Sequence, residues 1–300
     1  MTRLLLFLNL VLAAVLFSLV LWSFKGKQPA YVGPAQTIRS VNLDRDFDFC
    51  GEQLPMDNPD VLERLDAELL RNVYYHSATI LALKRAKAIF PIIEPIMKEN
   101  GVPDDIKYLA VAESNLSNAV SPAGAKGVWQ FMKGTAEQYG LEVNTEVDER
   151  YHLEKATVAA CRYLTDLKKQ LGSWTLAAAA YNGGPGRLSG ETGKQRATSF
   201  YDLNLAADET MRYPFRIVAI KDVMQNPDDY EYFIDPKHLY KPLTDYTVVQ
   251  VNGPIANWAD FAAQYGISYR ALKVYNPWLV DSKLTNKAGK VYEVKVPKKG

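Results

Sequence analysis

The sequence predicts a helical body filling most of the chain, followed by a small βααβ module. Three observations carry this. Up to about residue 225 apolar residues recur at helical spacing, and no stretch alternates as a half-buried strand would. Asn, Ser, Gly and Pro punctuate that region where helices start and stop. After Asn226 comes an acidic, aromatic, proline-marked connector, and from Tyr246 the pattern reads strand, helix, helix, strand. The 300 residues, 48% hydrophobic and 23% charged, suffice for one or two domains with a substantial core.

Arg3 precedes an apolar run from Leu4 to Trp22 broken only by Asn9 and Ser18. At ~1.5 Å per residue such a helix covers about 28 Å, close to a bilayer core. No A-x-A site follows, and no cysteine lies near residue 20, which excludes a lipoprotein anchor. Residues 1–24 read first as an uncleaved membrane anchor and, as the alternative, as a cleaved signal peptide. Residues 25–57, with Pro29, Gly33, Pro34 and the charged Asp44-Arg-Asp-Phe-Asp48, read as a tether.

The helical body is placed at 58–226. Asn58-Pro59 caps a helix whose stripe Val61, Leu62, Leu65, Leu69 and Leu70 runs to about Tyr75. A second helix is predicted from near Ala78 to Ala88, restarting after Pro91 and ending at Gly101. Pro103-Asp-Asp opens a third, Ile106 to Ala112, with two acids matching the helix dipole. Glu113 stands where that helix ends, and a loop of Ser, Asn, Pro and Gly follows. Short and long helices are predicted at 135–139 and 154–171, closed by Gly140 and Gly172. Ser173 caps the next, which stops at Tyr181-Asn-Gly-Gly-Pro-Gly186. Residues 187–200 look polar and mobile, and 209–224 form a last helix. After a linker at 227–245, the module at 246–298 places strands at 246–251 and 291–296 and helices at 258–265 and 269–275.

Net charge is +1, from 35 basic and 34 acidic residues, so no field argues for nucleic acid. Three histidines (His76, His152, His238), no HExxH and no CxxC argue against a metal, and no cofactor is expected. Cys50 and Cys161 fit a disulfide in an exported chain and fit two separate buried thiols equally. The 18 Tyr and 5 Trp suit a sugar-stacking groove or an aromatic core. Glu113 itself sits at the edge of an apolar wall facing a polar loop, a setting that raises a carboxyl pKa towards neutrality.

Glu113-Ser114, Ser121-Pro-Ala-Gly-Ala-Lys-Gly127, Gly127-Val-Trp-Gln130, Ala180-Tyr-Asn-Gly-Gly-Pro-Gly186 and Glu209-Thr-x-x-Tyr213 occur in that order. Together they closely resemble the lysozyme-like domain of lytic murein transglycosylases, of the membrane-bound D type. Lys107-Tyr-Leu-Ala-Val111, Trp129-Gln-Phe-Met132 and Val147-Asp-Glu-Arg150 also look like that type. The resemblance covers about residues 60–225 and implies an all-α lysozyme-like catalytic domain in a bacterial cell envelope. Peptidoglycan glycan strands are the implied substrate, the membrane is met through the N-terminal helix, and room is left for cell-wall synthesis or division proteins as partners.

Cleaving a glycosidic bond requires protonating the leaving oxygen, and a hydrolase usually brings a second carboxylate. Asp104 and Asp105 lie two or more helical turns back from Glu113, and Glu137 reads as exposed, so no partner acid stands out. That suits a nucleophile belonging to the substrate. By resemblance it is the C6 hydroxyl of N-acetylmuramic acid, with Glu113 acting as acid and then as base. The resemblance gives Ser121 as a hydrogen-bond partner of that Glu and Gln130 as holder of a sugar amide or of the Glu. It sets Asn182 against an N-acetyl group, leaves Tyr181 a binding or packing role, and gives Tyr213 as a tuner of the acid. Ser114 and Trp129 read as structural. A hydrolytic muramidase and an inactive peptidoglycan-binding scaffold remain the alternatives.

The C-terminal module resembles a LysM domain through Tyr246-Thr-Val248, Phe261-Ala-Ala-Gln-Tyr-Gly-Ile267, Leu272, Asn276 and Val294-Lys-Val-Pro297. It departs from that pattern where Gly-Asp-Thr-Leu is usual and this chain has Asn252-Gly-Pro-Ile-Ala-Asn-Trp258. Glycan binding and a purely positioning role both stay open for it.

Overall fold

A computed structural model describes Ser18 and residues 38–298. The expected membrane helix at 4–22, Ser18 apart, lies outside them. Among the described residues no helix is long and apolar enough to cross a membrane.

Helix α1 (Pro59–Tyr74) starts as the sequence predicts: the Asn58 side chain accepts from Asp60 N–H, and Pro59 occupies the first turn. Helix α2 is continuous over His76–Glu99, correcting the expected break at Pro91. Pro91 and Pro95 both lie on its exposed face, so water can take the carbonyls they release. After a 3-10 turn at Asp104–Ile106, α3 covers Lys107–Ser114, which puts Glu113 inside the last turn. Then follow α4 (Lys133–Gln138), α5 (Leu153–Leu171, closed by left-handed Gly172) and α6 (Trp174–Gly183). Residues expected to be mobile form α7 (Pro185–Gln195) instead. Pro185 at its start presets the helical φ, and Leu188 is fully buried, anchoring the segment despite its polar sequence.

Helix α8 (Asp208–Gln225) is the centre of the body. It packs on α1, α3 and α6, and is buried almost all round, from Tyr213 and Phe215 to Val223. Gly183 permits its approach to α6, since a Cβ there would stand 2.7 Å from Thr210 Cγ2.

The region before residue 225 is not purely helical. A two-residue hairpin, β1 (Asp48–Phe49) and β2 (Glu52–Gln53), precedes α1, and single bridges join Val120 to Lys126 and Lys126 to Phe131. Pairings this short leave no period for a sequence to display. The hairpin also corrects the tether expectation. Phe47, Phe49 and Leu54 are buried in the main core, Lys221 of α8 bonds Asp48, and Glu52 binds the first turn of α6. Cys50 and Cys161 are separate thiols, and burial pushes Cys161 up to about 12.

The last residues form β3 (Tyr246–Val251), α9 (Trp258–Gln264), α10 (Tyr269–Tyr275) and β4 (Tyr292–Pro297), with β3 and β4 antiparallel. Their core of Trp258, Phe261, Leu272 and Trp278 is completed by Val147 from the helical body.

Candidate active site

Glu113 ends an apolar helix whose other residues from Lys107 to Ala112 are buried. The chain leaves that helix through two consecutive left-handed residues, Asn115 (φ 51°) and buried Leu116 (φ 55°). A leucine in that conformation is costly and persists only where its surroundings impose it. Ser114 fixes the turn. Its hydroxyl donates to Val128 O at 2.8 Å and accepts from Ser117 N–H at 3.2 Å. The end of α3 is thereby fastened to the Gly127–Gln130 segment.

That segment is built around Gly127, at φ +81°, where any Cβ would meet Arg150 O at 1.9 Å. Arg150 is itself buried. It pairs with Asp148 at 2.7 Å and donates to Gly124 O (3.2 Å) and Phe131 O (3.3 Å), while Lys126 reaches Asp148 at 3.3 Å. The Val147–Arg150 motif therefore acts as the internal brace of the loop. Gln130 is held at φ 49°, with Nε2 donating to Ala119 O (3.1 Å) and Gly127 O (2.7 Å). Ser121 Oγ accepts from Ala125 N–H at 3.0 Å, so the bond it makes closes its own turn and does not reach Glu113.

Tyr213 is fully buried in α8, and its hydroxyl donates to Glu113 Oε1. Burial pushes the Glu113 carboxyl up to about 7. The Tyr213 bond and the Arg216 charge pull against this, and the Glu209 charge adds to it. Burial, with the Glu113 charge next, also holds the Tyr213 hydroxyl well above its ordinary value, so it remains a donor. Tyr181 donates to Trp129 O at 2.6 Å and packs against Phe131 and Tyr163. Asn182 Oδ1 accepts from Thr210 Oγ1 at 2.9 Å. Trp129 is core, with Nε1 donating to Thr157 at 2.9 Å.

Of the residues read from sequence, Tyr213 bonds Glu113 directly. Tyr181 and Gln130 bind the loop behind it, Asn182 ties α6 to α8, and Ser121 serves its turn. Sequence reasoning missed Arg216 and the electrostatic part of Glu209. Both lie at helical spacing from Tyr213 on α8, one turn to either side, so the spacing could have found them. The excluded acids are engaged elsewhere: Asp104 with Lys107, Asp105 with Lys221, and Glu137 near Lys133.

A half-buried carboxyl near neutrality at a helix end, braced by a glycine loop, can hold a proton for transfer at ordinary pH. In agreement, residues 90–204 match the family described as Transglycosylase SLT domain, and residues 247–300 match the Soluble lytic transglycosylase C-terminal LysM-like domain. The chain is 31% identical over 260 residues to Membrane-bound lytic murein transglycosylase D of Escherichia coli, a match found in two strains. That alignment covers 84% of this chain and 55% of the relative, so the chain spans about half the length of the curated relatives it matches. An X-ray structure of an inactive mutant of lytic transglycosylase Slt from Pseudomonas aeruginosa is similar at a TM-score of 0.39. The identity there is 21%, over 51% of this chain and 26% of that one.

Proposed function

We propose that this chain is a lytic transglycosylase of peptidoglycan. It cleaves the β-1,4 bond between N-acetylmuramic acid and N-acetylglucosamine without water and leaves 1,6-anhydro ends. The observation that carries this is Glu113: a carboxyl at about 7, hydrogen-bonded by a phenol and by no second acid among the described residues.

Glu113 enters protonated and gives its proton to the glycosidic oxygen as the C1–O bond breaks. Its carboxylate then takes the proton of the C6 hydroxyl as that oxygen closes on C1, which restores the acid. One group serves both transfers because its pKa lies near the working pH. Tyr213 supports the carboxylate between the two steps. Gln130 Oε1 and Asn182 Nδ2 enter no hydrogen bond among the described residues. As acceptor and donor they complement the N–H and C=O of a sugar acetamide. Tyr181 and Ser121 shape the loop and turn around them.

The catalytic unit comprises 58–226 with the strap 41–57, joined through 227–245 to the LysM-like module at 246–298. Similarity to a protein named membrane-bound supports a place in the bacterial envelope, with 4–22 as the anchor. The test is mass analysis of muropeptides released from purified sacculi. Anhydro ends support the proposal, and reducing ends about 18 Da heavier, from added water, overturn it.

A further inference from the structure

The helical body turns three carboxylates towards the C-terminal module, and the module meets each with donors. Glu142 accepts from Lys290 Nζ at 3.0 Å and from the Tyr292 hydroxyl at 3.1 Å. Glu146 accepts from Thr285 N–H at 2.7 Å and from Thr285 Oγ1 at 3.0 Å. Glu154 accepts from Lys295. Asp148, buried at this joint, faces both ways. Its main-chain N–H donates to Trp278 O of the module at 2.9 Å. Its carboxylate pairs with Arg150 at 2.7 Å and Lys126 at 3.3 Å. Burial would raise that carboxyl, but the bonds and charges of Arg150 and Lys126 outweigh it and keep it below its ordinary value. Arg150 holds the loop through Gly124 O and Phe131 O, and Lys126 exchanges two main-chain bonds with Phe131, each at 3.1 Å. The loop in turn offers Val128 O to Ser114, the neighbour of Glu113. A second contact reaches the same turn. Left-handed Leu116 and Val128 share a cavity of about 300 Å³ with Val274, Tyr275, Pro277 and Trp278 of the module.

Resting on the transglycosylase reading, we propose that Asp148 is a positioning residue through which the docked module holds the Gly127–Gln130 loop and Glu113 in place. The left-handed turn at Leu116 persists only where its surroundings impose it, and the module is part of those surroundings. The path from Trp278 to Ser114 runs through a buried ion pair and main-chain bonds, which have little freedom to slide. The module therefore acts on turnover, whatever its affinity for glycan. Kinetics separate the two roles: a grip on substrate appears in KM, and a hold on the acid appears in kcat.

The test loosens the joint from its rim, in the full chain carrying Glu146→Ala and Lys295→Gln together. On soluble glycan strands this double variant should lose about ten- to a hundredfold in kcat, the loss on misplacing a catalytic group, with KM little changed. The alkaline limb of its kcat/KM profile should move to lower pH, because a loosened loop lets water reach the Glu113 carboxyl. Asp148→Asn should move both readouts further in the same direction. Hydrogen exchange in the natural chain needs no variant to fold: the amides of Asp148 and Phe131 should be released together, as one cooperative unit. A rise in KM with kcat and the limb unchanged, or a Phe131 amide that exchanges independently of Asp148, overturns the inference while anhydro products still form. If the natural chain forms no anhydro product, it is the transglycosylase reading that fails, and the exchange measurement still judges the joint.

Discussion

A single proton decides the chemistry at the residue scale. Glu113→Gln should lower turnover of sacculi by about 10²–10⁴-fold, the usual share of a general acid. The same variant has a thermodynamic signature. The folded carboxyl holds its proton to about 7, above the ordinary value of 4.5. Between those pH values the folded state binds more protons than the unfolded one, so stability falls as pH rises through the window and the cost is complete above it. Glu113→Gln should then melt higher than the natural chain at pH 8, by roughly 2 kcal/mol, with the gap closing near pH 4. Tyr213→Phe removes a bond that pulls the carboxyl down. The alkaline limb of its kcat/KM profile should move to higher pH, and a limb that stays put would deny Tyr213 its tuning role. Glu209→Gln separates the chemistries: a second catalytic carboxylate would cost orders of magnitude, whereas a through-space neighbour should only shift the limb slightly downward. Glu113 and Tyr213 were legible because each sits in a motif at a helix position. Arg216 was not, since its effect on Glu113 depends on how α3 and α8 come together in three dimensions.

Two constraints on the elements were visible only in part from sequence. Glycines at helix ends were readable because left-handed closure favours them, as Gly172 shows at φ 91°. The helix over 185–195 was not, because one fully buried leucine in a polar segment gives no period. Nor was the role of residues 41–57. Phe47 and Phe49 read as isolated aromatics in a charged stretch, yet they enter the core beside α8. Glu52 shows what that segment does. Its carboxylate accepts from Trp174 N–H (2.6 Å), Thr175 N–H (2.9 Å) and Thr175 Oγ1 (2.7 Å), occupying the positive end of the helix that carries Tyr181 and Asn182. Glu52→Ala should cost about 1–2 kcal/mol in denaturant unfolding, as for lost helix caps. Gly127→Ala should cost more, about 3 kcal/mol, since the new methyl meets a braced carbonyl at 1.9 Å and the backbone stays left-handed.

Across the whole molecule, the strand and helix pattern from residue 246 was plain in sequence, while its attachment to the helical body was not. Docking depends on residues some 100–150 positions apart, beyond the reach of local periodicity. Val147 fills the module core, Glu146 O accepts from Val280 N–H at 3.0 Å, and Asp148 N–H donates to Trp278 O at 2.9 Å. Those contacts fall on the same motif whose Asp148 and Arg150 brace the Gly127–Gln130 loop, so module and site loop share one support. Glu154 closes the joint from α5. Lys295 of β4 bonds it, and His152, stacked on Trp278, stands 3.2 Å away. Burial alone would raise the Glu154 carboxyl. The bonds and charges of His152 and Lys295 outweigh that and hold it at about 2, below its ordinary 4.5. A depressed acid stabilises the folded state above its unfolded value and loses that contribution as pH falls through its folded one. Glu154→Gln should therefore lower stability at pH 7 by roughly 1–2 kcal/mol, a figure reduced for the carboxylate's partial exposure. The difference from the natural chain should shrink from pH 4.5 downward and vanish near 2. Hydrogen exchange of the β4 amides locates the effect. Faster exchange in β4, with α8 unchanged, would show the joint loosening. Equal acceleration throughout would mean that module and body unfold as one cooperative unit, with the joint strong enough to couple them.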